Sequence, residues 1–109
     1  MEQREYLRLT DECLARVARW LEGLDPDEVD YTTGDGVVTI EFADGTRFIL
    51  SRQAATSQLW LAAGAHASHY NWDGLAQQWM DDKDGHPLPQ RLAEAISERL
   101  GHSVDFNQV

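Results

Sequence analysis

Over residues 3–24 the apolar positions Tyr6, Leu9, Cys13, Val17, Trp20 and Leu24 fall three or four apart, with Leu14 and Leu21 widening the stripe. That period places them on one face of an α-helix. Glu12 and Arg16, acid first and four apart, form a favourable helix pair. Asp25-Pro26 ends the helix, because the residue before a proline is pushed out of the α region.

From Val29 to Met80 the period drops to two. Val29-Asp-Tyr31-Thr-Thr33 is a short strand stopped by Gly34-Asp35-Gly36. Val38, Ile40 and Phe42 then share one face, and Val37, Thr39 and Glu41 the other. Asp44-Gly45 has the chemistry of a two-residue hairpin turn, and Arg47–Leu50 returns as the next strand. Gln58–Ala62, His69–Trp72 and Gln78–Asp81 complete a meander of short strands. A second amphipathic helix runs from Leu88 to Leu100 on Leu88, Leu92, Ala95, Ile96 and Leu100. Pro87 and Pro89 sit at its start and Gly101 at its stop. Val104 and Phe106 supply an apolar tail to seal an edge.

This order predicts an α+β fold. It is a two-layer sandwich in which an antiparallel sheet of about six strands is covered on one face by the N- and C-terminal helices. The length suits a single domain over residues 1–109.

Charge narrows the function. Nineteen Asp and Glu face nine Lys and Arg, a net charge of −10. Lys83 is the sole lysine and the arginines are scattered, so the basic footprint of a nucleic-acid or anionic-membrane binder is missing. No apolar run reaches the length of a membrane span and no secretory signal opens the chain. The single cysteine, Cys13, excludes an intrachain disulfide, a Cys-rich zinc site and a CxxC pair. It falls on the apolar stripe of helix 1, which makes it a small core residue. These features fit a reducing, cytoplasmic setting.

The densest acidic stretch runs from Glu22 through Asp25, Asp27 and Glu28 to Asp30, five carboxylates without a base. It sits where helix 1 should end. A helix C-terminus carries partial negative charge, so each acid there is disfavoured by about 0.3–1 kcal/mol. A hard cation held by oxygens, such as Fe²⁺, Fe³⁺, Mn²⁺, Ca²⁺ or Mg²⁺, would relieve that cost; so would a basic partner, or simple screening by water and salt. No EF-hand loop or two-His-one-carboxylate triad is present, so any metal should bind weakly, at several exchangeable surface positions. His66 and His69, three apart in a strand, point to opposite faces. No nucleophile elbow, phosphate loop or dinucleotide fingerprint occurs, and the chain is not expected to be an enzyme. Trp60, between Leu59 and Leu61, falls on the open face of the sheet if the leucines face the helices, and an exposed Trp there is a protein-binding anchor.

Several stretches together resemble the frataxin family in its bacterial, CyaY-type branch. They are the hairpin Gly36–Thr46, the run Phe48-Ile-Leu-Ser-Arg52-Gln53, the strand Gln58-Leu-Trp60-Leu-Ala62, the pair His69-Tyr70, Trp79, and the final helix with its Val-x-Phe tail. The chain departs from the family pattern at Leu7, Ala18-Arg19, Ala55 and His66-Ala67.

The resemblance implies weakly bound iron on an acidic ridge, here Glu5, Asp11, Glu12, Glu22, Asp25, Asp27, Glu28 and Asp30. It implies a role in iron–sulfur cluster assembly. A cysteine desulfurase would meet the ridge, notably Glu22, Asp25 and Asp27, and the scaffold protein would meet Trp60. It implies a monomer that can form iron-dependent oligomers. Two other readings stay open: a ferroxidase-type enzyme, which should show a compact di-iron carboxylate site, and an acidic interaction domain that uses no metal.

Overall fold

The computed structural model describes residues 1–106. Helix α1 (Gln3–Glu22) leads into strands β1 (Val29–Gly34), β2 (Val37–Phe42), β3 (Arg47–Gln53), β4 (Gln58–Ala63), β5 (His66–Asp73) and β6 (Gln78–Asp81). A 3-10 turn at Ala54–Thr56 joins β3 to β4, and helix α2 (Leu88–Leu100) closes the order. The six strands form one open antiparallel sheet in sequence order. Both helices lie on one face, as the α+β sandwich predicted. No helix of the described residues is long and apolar enough to cross a membrane.

The two-residue alternation decides which side each strand buries. Val38, Ile40 and Phe42 of β2, Phe48 and Leu50 of β3, and Leu59 and Leu61 of β4 all face the helices and are buried. From above, α1 adds Tyr6, Leu9, Leu14, Val17, Trp20 and Leu21, while α2 adds Leu88, Leu92 and Ile96. Three polar side chains of the helices tie them to the sheet and to the C-terminal tail. The Tyr6 hydroxyl donates to the Gln58 carbonyl at 2.7 Å, and the Trp20 indole N–H donates to the Asp105 carbonyl at 2.8 Å. Ser97 Oγ donates to the Val104 carbonyl and accepts from its N–H. Phe106 stacks on Trp20 at 4.6 Å, so the apolar tail does seal the helix layer.

Several boundaries differ from the periodicity. α1 stops at Glu22, two residues early, because Gly23 and Leu24 close back on the Trp20 and Leu21 carbonyls in tight turns. β5 starts at His66, not His69: Gly64 turns with φ +64°, and Ala63 pairs with His66. The register still sends His66 and His69 to opposite faces, since His66 sits across from half-buried Ala63 and His69 across from Trp60. The β2–β3 connection spans 43–46, longer than two residues, because the Phe42 N–H bonds the Thr46 carbonyl and Asp44 caps the Thr46 N–H. Gly45 adopts φ +89° there, a conformation that suits glycine. Glu12 pairs with Arg8 at 3.2 Å rather than with Arg16.

Arg52 is the one charged side chain of β3 that points under a helix, with only 14% of its side chain exposed. Its Nε donates to Thr10 Oγ1 at 3.0 Å, another guanidinium nitrogen bonds the Asp11 carboxylate, and Asp35 lies 3.6 Å away. Thr10 is fully buried, and its hydroxyl donates to the Leu7 carbonyl. The guanidinium lies close over Gly36, where a β-carbon would come within 3.0 Å. Arg52 thus ties α1 to the β1–β2 turn, with the buried Thr10 hydroxyl as its interior partner. We predict that Arg52→Met lowers unfolding stability by about 1–3 kcal/mol, read as a lower urea midpoint with unchanged slope; a midpoint within error of the wild type would refute this role.

Candidate functional site

The acidic segment is built by the way α1 ends. After Gly23 and Leu24 the chain turns on Asp25: its carbonyl accepts the N–H groups of Glu28 and Val29, and its carboxylate accepts that of Asp27. Pro26 keeps the helix from continuing. Val29 is buried, which anchors β1, the edge strand of the sheet. Between these two anchors Glu22, Asp25, Asp27 and Asp30 are all exposed. Asp30 lies on the open face of the sheet across from Glu41, whose own charge is met by Arg47 at 3.1 Å.

The eight carboxylates proposed from the sequence do not share one environment. Glu5 and Glu12 flank Arg8, at 3.9 and 3.2 Å. Asp11 is bound by Arg52. These three acids therefore already have arginine partners. At the other end of α1 the pattern reverses. No Lys, Arg or His nitrogen comes within salt-bridge distance of Glu22, Asp25, Asp27 or Asp30 among the described residues. Glu22 accepts a hydrogen bond from the Tyr31 hydroxyl, and that bond, with the nearby negative charge, holds the phenol above its ordinary pKa. Glu28 faces His102 Nε2 at 2.8 Å.

This arrangement leaves three aspartates and a glutamate with outward oxygens. No group of three or more His, Cys, Asp or Glu gathers into a metal cage among the described residues. What the segment offers chemically is separate oxygen donors on a turn and a strand. Such donors suit a weakly held hard cation, or the cationic surface of another protein.

Trp60 occupies the middle of the uncovered sheet face, 36% exposed, while Leu59 and Leu61 are buried beneath it. Its indole N–H donates to Gln58 Oε1 at 2.9 Å, and its ring lies against His69, with centroids 4.4 Å apart. Gln58 in turn donates to Asn71 and Asp82, at 3.2 and 3.4 Å. Ile49, 40% exposed, lies on the same face. Two residues with supporting roles carry little or no signal in the sequence. Gln58 has a local one, since two residues before Trp60 on a strand is the same face. His102 has none: it reaches Glu28 only because α2 ends beside the α1–β1 turn. Cys13 proves half-buried, and burial pushes its thiol up to about 12, so it carries no thiolate chemistry at neutral pH.

His102 is held above its ordinary pKa of 6.5 by its hydrogen bond to Glu28 and then by that carboxylate's charge, with Asp25 adding to it. A raised pKa in the folded state stabilises the fold at pH below about 6.5, and the benefit is lost as pH rises through the raised value. We expect the His102 ring resonance to titrate above 6.5 and to return toward 6.5 in Glu28→Gln. Titration at the same pH in both proteins would remove the pair from the account.

Comparison with known proteins converges on one family. A family model described as a frataxin-like domain matches residues 1–102. The iron-sulfur cluster assembly protein CyaY of Bordetella parapertussis is 37% identical over 108 residues, covering 95% of this chain and 96% of that protein. The protein of the same name from Dechloromonas aromatica is 33% identical over 104 residues, covering 95% and 97%. Among solved structures, frataxin from Psychromonas ingrahamii superposes with a TM-score of 0.88 at 29% identity, over 99% of this chain and 100% of that one. Trimeric frataxin from Saccharomyces cerevisiae in a ferrous complex shares the fold, with a TM-score of 0.74 at 22% identity over 85% and 86%.

Proposed function

The chain belongs to the frataxin family, and from that premise we propose that it serves iron–sulfur cluster assembly as a weak iron-binding regulator or iron donor. The proposed iron site is the α1–β1 segment of Glu22, Asp25, Asp27 and Asp30, with Glu28 beside it. The same segment is the docking surface for a cysteine desulfurase with a basic face. The observation that carries the reading is the absence of any internal cation beside Glu22, Asp25, Asp27 and Asp30 among the described residues, while the acids earlier in α1 have arginine partners. Its family setting is supplied by relatives named for cluster assembly.

The chemistry is that of an exchangeable cargo. Ferrous iron prefers oxygen and nitrogen donors, and isolated surface carboxylates hold it loosely enough to surrender it. Arriving iron lowers the repulsion among these acids and offsets the negative end of α1. A desulfurase would compete for the same oxygens, since a basic patch lowers the same repulsion. Iron and partner are therefore expected to be mutually antagonistic at this segment. Glu5, Asp11 and Glu12 would join only by first giving up Arg8 or Arg52, which makes them secondary positions.

Trp60 gives the open sheet face a separate function in this proposal. An indole fixed by Gln58 and His69 loses little freedom on binding, and with Ile49 beside it forms an anchor for the cluster scaffold protein. The acidic segment at the β1 edge and the indole on β4 are separated by β2 and β3, so they form two distinct contact points.

Three measurements test this. Anaerobic calorimetry with ferrous iron should show Asp25→Asn/Asp27→Asn/Asp30→Asn losing about tenfold in affinity, and Glu5→Gln/Glu12→Gln less than about twofold. The reverse ranking would place the site elsewhere. Changing the three aspartates to lysine should weaken desulfurase binding at low ionic strength; unchanged affinity there would end the docking assignment. Trp60→Ala should keep its thermal midpoint and iron affinity and lose more than about fivefold in scaffold affinity. Gross unfolding would instead make Trp60 a structural residue.

A further inference from the structure

A groove of about 600 Å³ runs between α1, the β5–β6 turn and the start of α2, on the helix side of the sheet. It belongs neither to the acidic segment nor to the Trp60 face. Its size is that of sites for small organic ligands. Trp72 lines it, with the buried Trp79, Leu9 and Leu88 forming its apolar floor. The two indoles meet edge to face at 5.5 Å. Trp79 is only 4% exposed, and its indole N–H has no hydrogen-bond partner.

The charge of this groove runs against that of the molecule. Its charged lining residues are Arg8, Arg16 and Glu12, two cations to one anion, in a chain of net charge −10. Arg8 is engaged by Glu12 at 3.2 Å. Arg16 is exposed and forms no ion pair among the described residues. The first turn of α2 lines the groove too, through Pro87, Leu88, Pro89 and Gln90. Pro87 stands at the N-cap position without a side-chain cap, so the positive end of a 13-residue helix is left uncapped there. A cationic arginine, a helix N-terminus and two indoles on one concavity form a complementary surface for one kind of molecule.

We propose that this groove is a binding site for a small organic anion with an aromatic body. The ring would lie against the half-buried Trp72, which packs on the buried Trp79, and the anionic group would face Arg16 and the start of α2. Bulk electrostatics cannot mimic this preference, because a strongly negative protein attracts cations everywhere else.

Three probes share one ring and differ in charge: indole-3-acetate, indole and tryptamine. Each is titrated into the ¹⁵N-labelled full chain at low salt, reading the tryptophan indole N–H and backbone amide signals. Indole-3-acetate should bind more tightly than tryptamine and shift the Trp72 and Trp79 indole signals and the Gln90 amide. Arg16→Glu should weaken it by about five- to tenfold and invert the order. Arg19→Glu, an exposed change of the same net charge outside the groove lining, should leave the order intact. The site is refuted by tighter binding of tryptamine to the wild type, by no binding of indole-3-acetate, or by shifts centred on Trp60. It is equally refuted if Arg16→Glu and Arg19→Glu act alike.

Discussion

Nineteen carboxylates share nine lysine and arginine side chains, so where the fold places its few cations decides where the surface stays negative. Two of the arginines join parts of the chain distant in sequence, and a third acts locally. Arg52 ties β3 to α1 through Thr10 and Asp11. Arg99, at the end of α2, holds Asp44 of the β2–β3 connection, and Arg91 reaches Asp84 before α2 at 2.8 Å. With Thr46 N–H and hydroxyl as the main donors and Arg99 adding to them, the Asp44 carboxyl is lowered to about 2. None of these cations is placed at the turn after α1. The negative edge is a consequence of this allocation as much as of the local sequence.

The same edge has a folding role. β1 ends the sheet, and an edge strand exposes backbone groups to pairing with another chain. Asp30 on the strand and the acids before it repel such a neighbour. An acidic edge would thus be retained for solubility even without a ligand. What sets this segment apart from a merely protective edge is that its backbone is tied down between the end of α1 and the start of β1. Asp25 bonds three backbone N–H groups there, and the buried Val29 fixes the start of β1. With the backbone held, the carboxylates stay within a short segment, and a cation would lower their mutual repulsion.

Much of the fold was legible because its signals are local. The step of three or four in α1 and α2 and the alternation in β2 and β3 come directly from backbone geometry, and the burial of Ile40, Leu50, Leu92 and Ile96 agrees with them. The outward position of Trp60 is set by its leucine neighbours through the same rule. What local pattern could not show is which distant groups meet. Arg52 looked like part of a family motif, and only the packing of α1 on β3 makes it the partner of Asp11. Glu12 was expected to pair with Arg16, yet Arg8 takes it and leaves Arg16 lining a groove. The ridge implied by the family resemblance, interrupted at Ala18-Arg19, divides further into an arginine-partnered portion and an unpartnered portion. That division depends on contacts between residues as far apart as Asp11 and Arg52.

The most direct test tracks the side-chain carboxyl ¹³C signals of the aspartates and glutamates as substoichiometric Mn²⁺, a paramagnetic oxygen-seeking ion, is added. If the allocation of cations sets the site, Asp25, Asp27 and Asp30 broaden first, and Asp11 and Glu12 broaden only at much higher metal. Simultaneous broadening along all of α1, or earliest broadening at Asp11 and Glu12, would contradict the account.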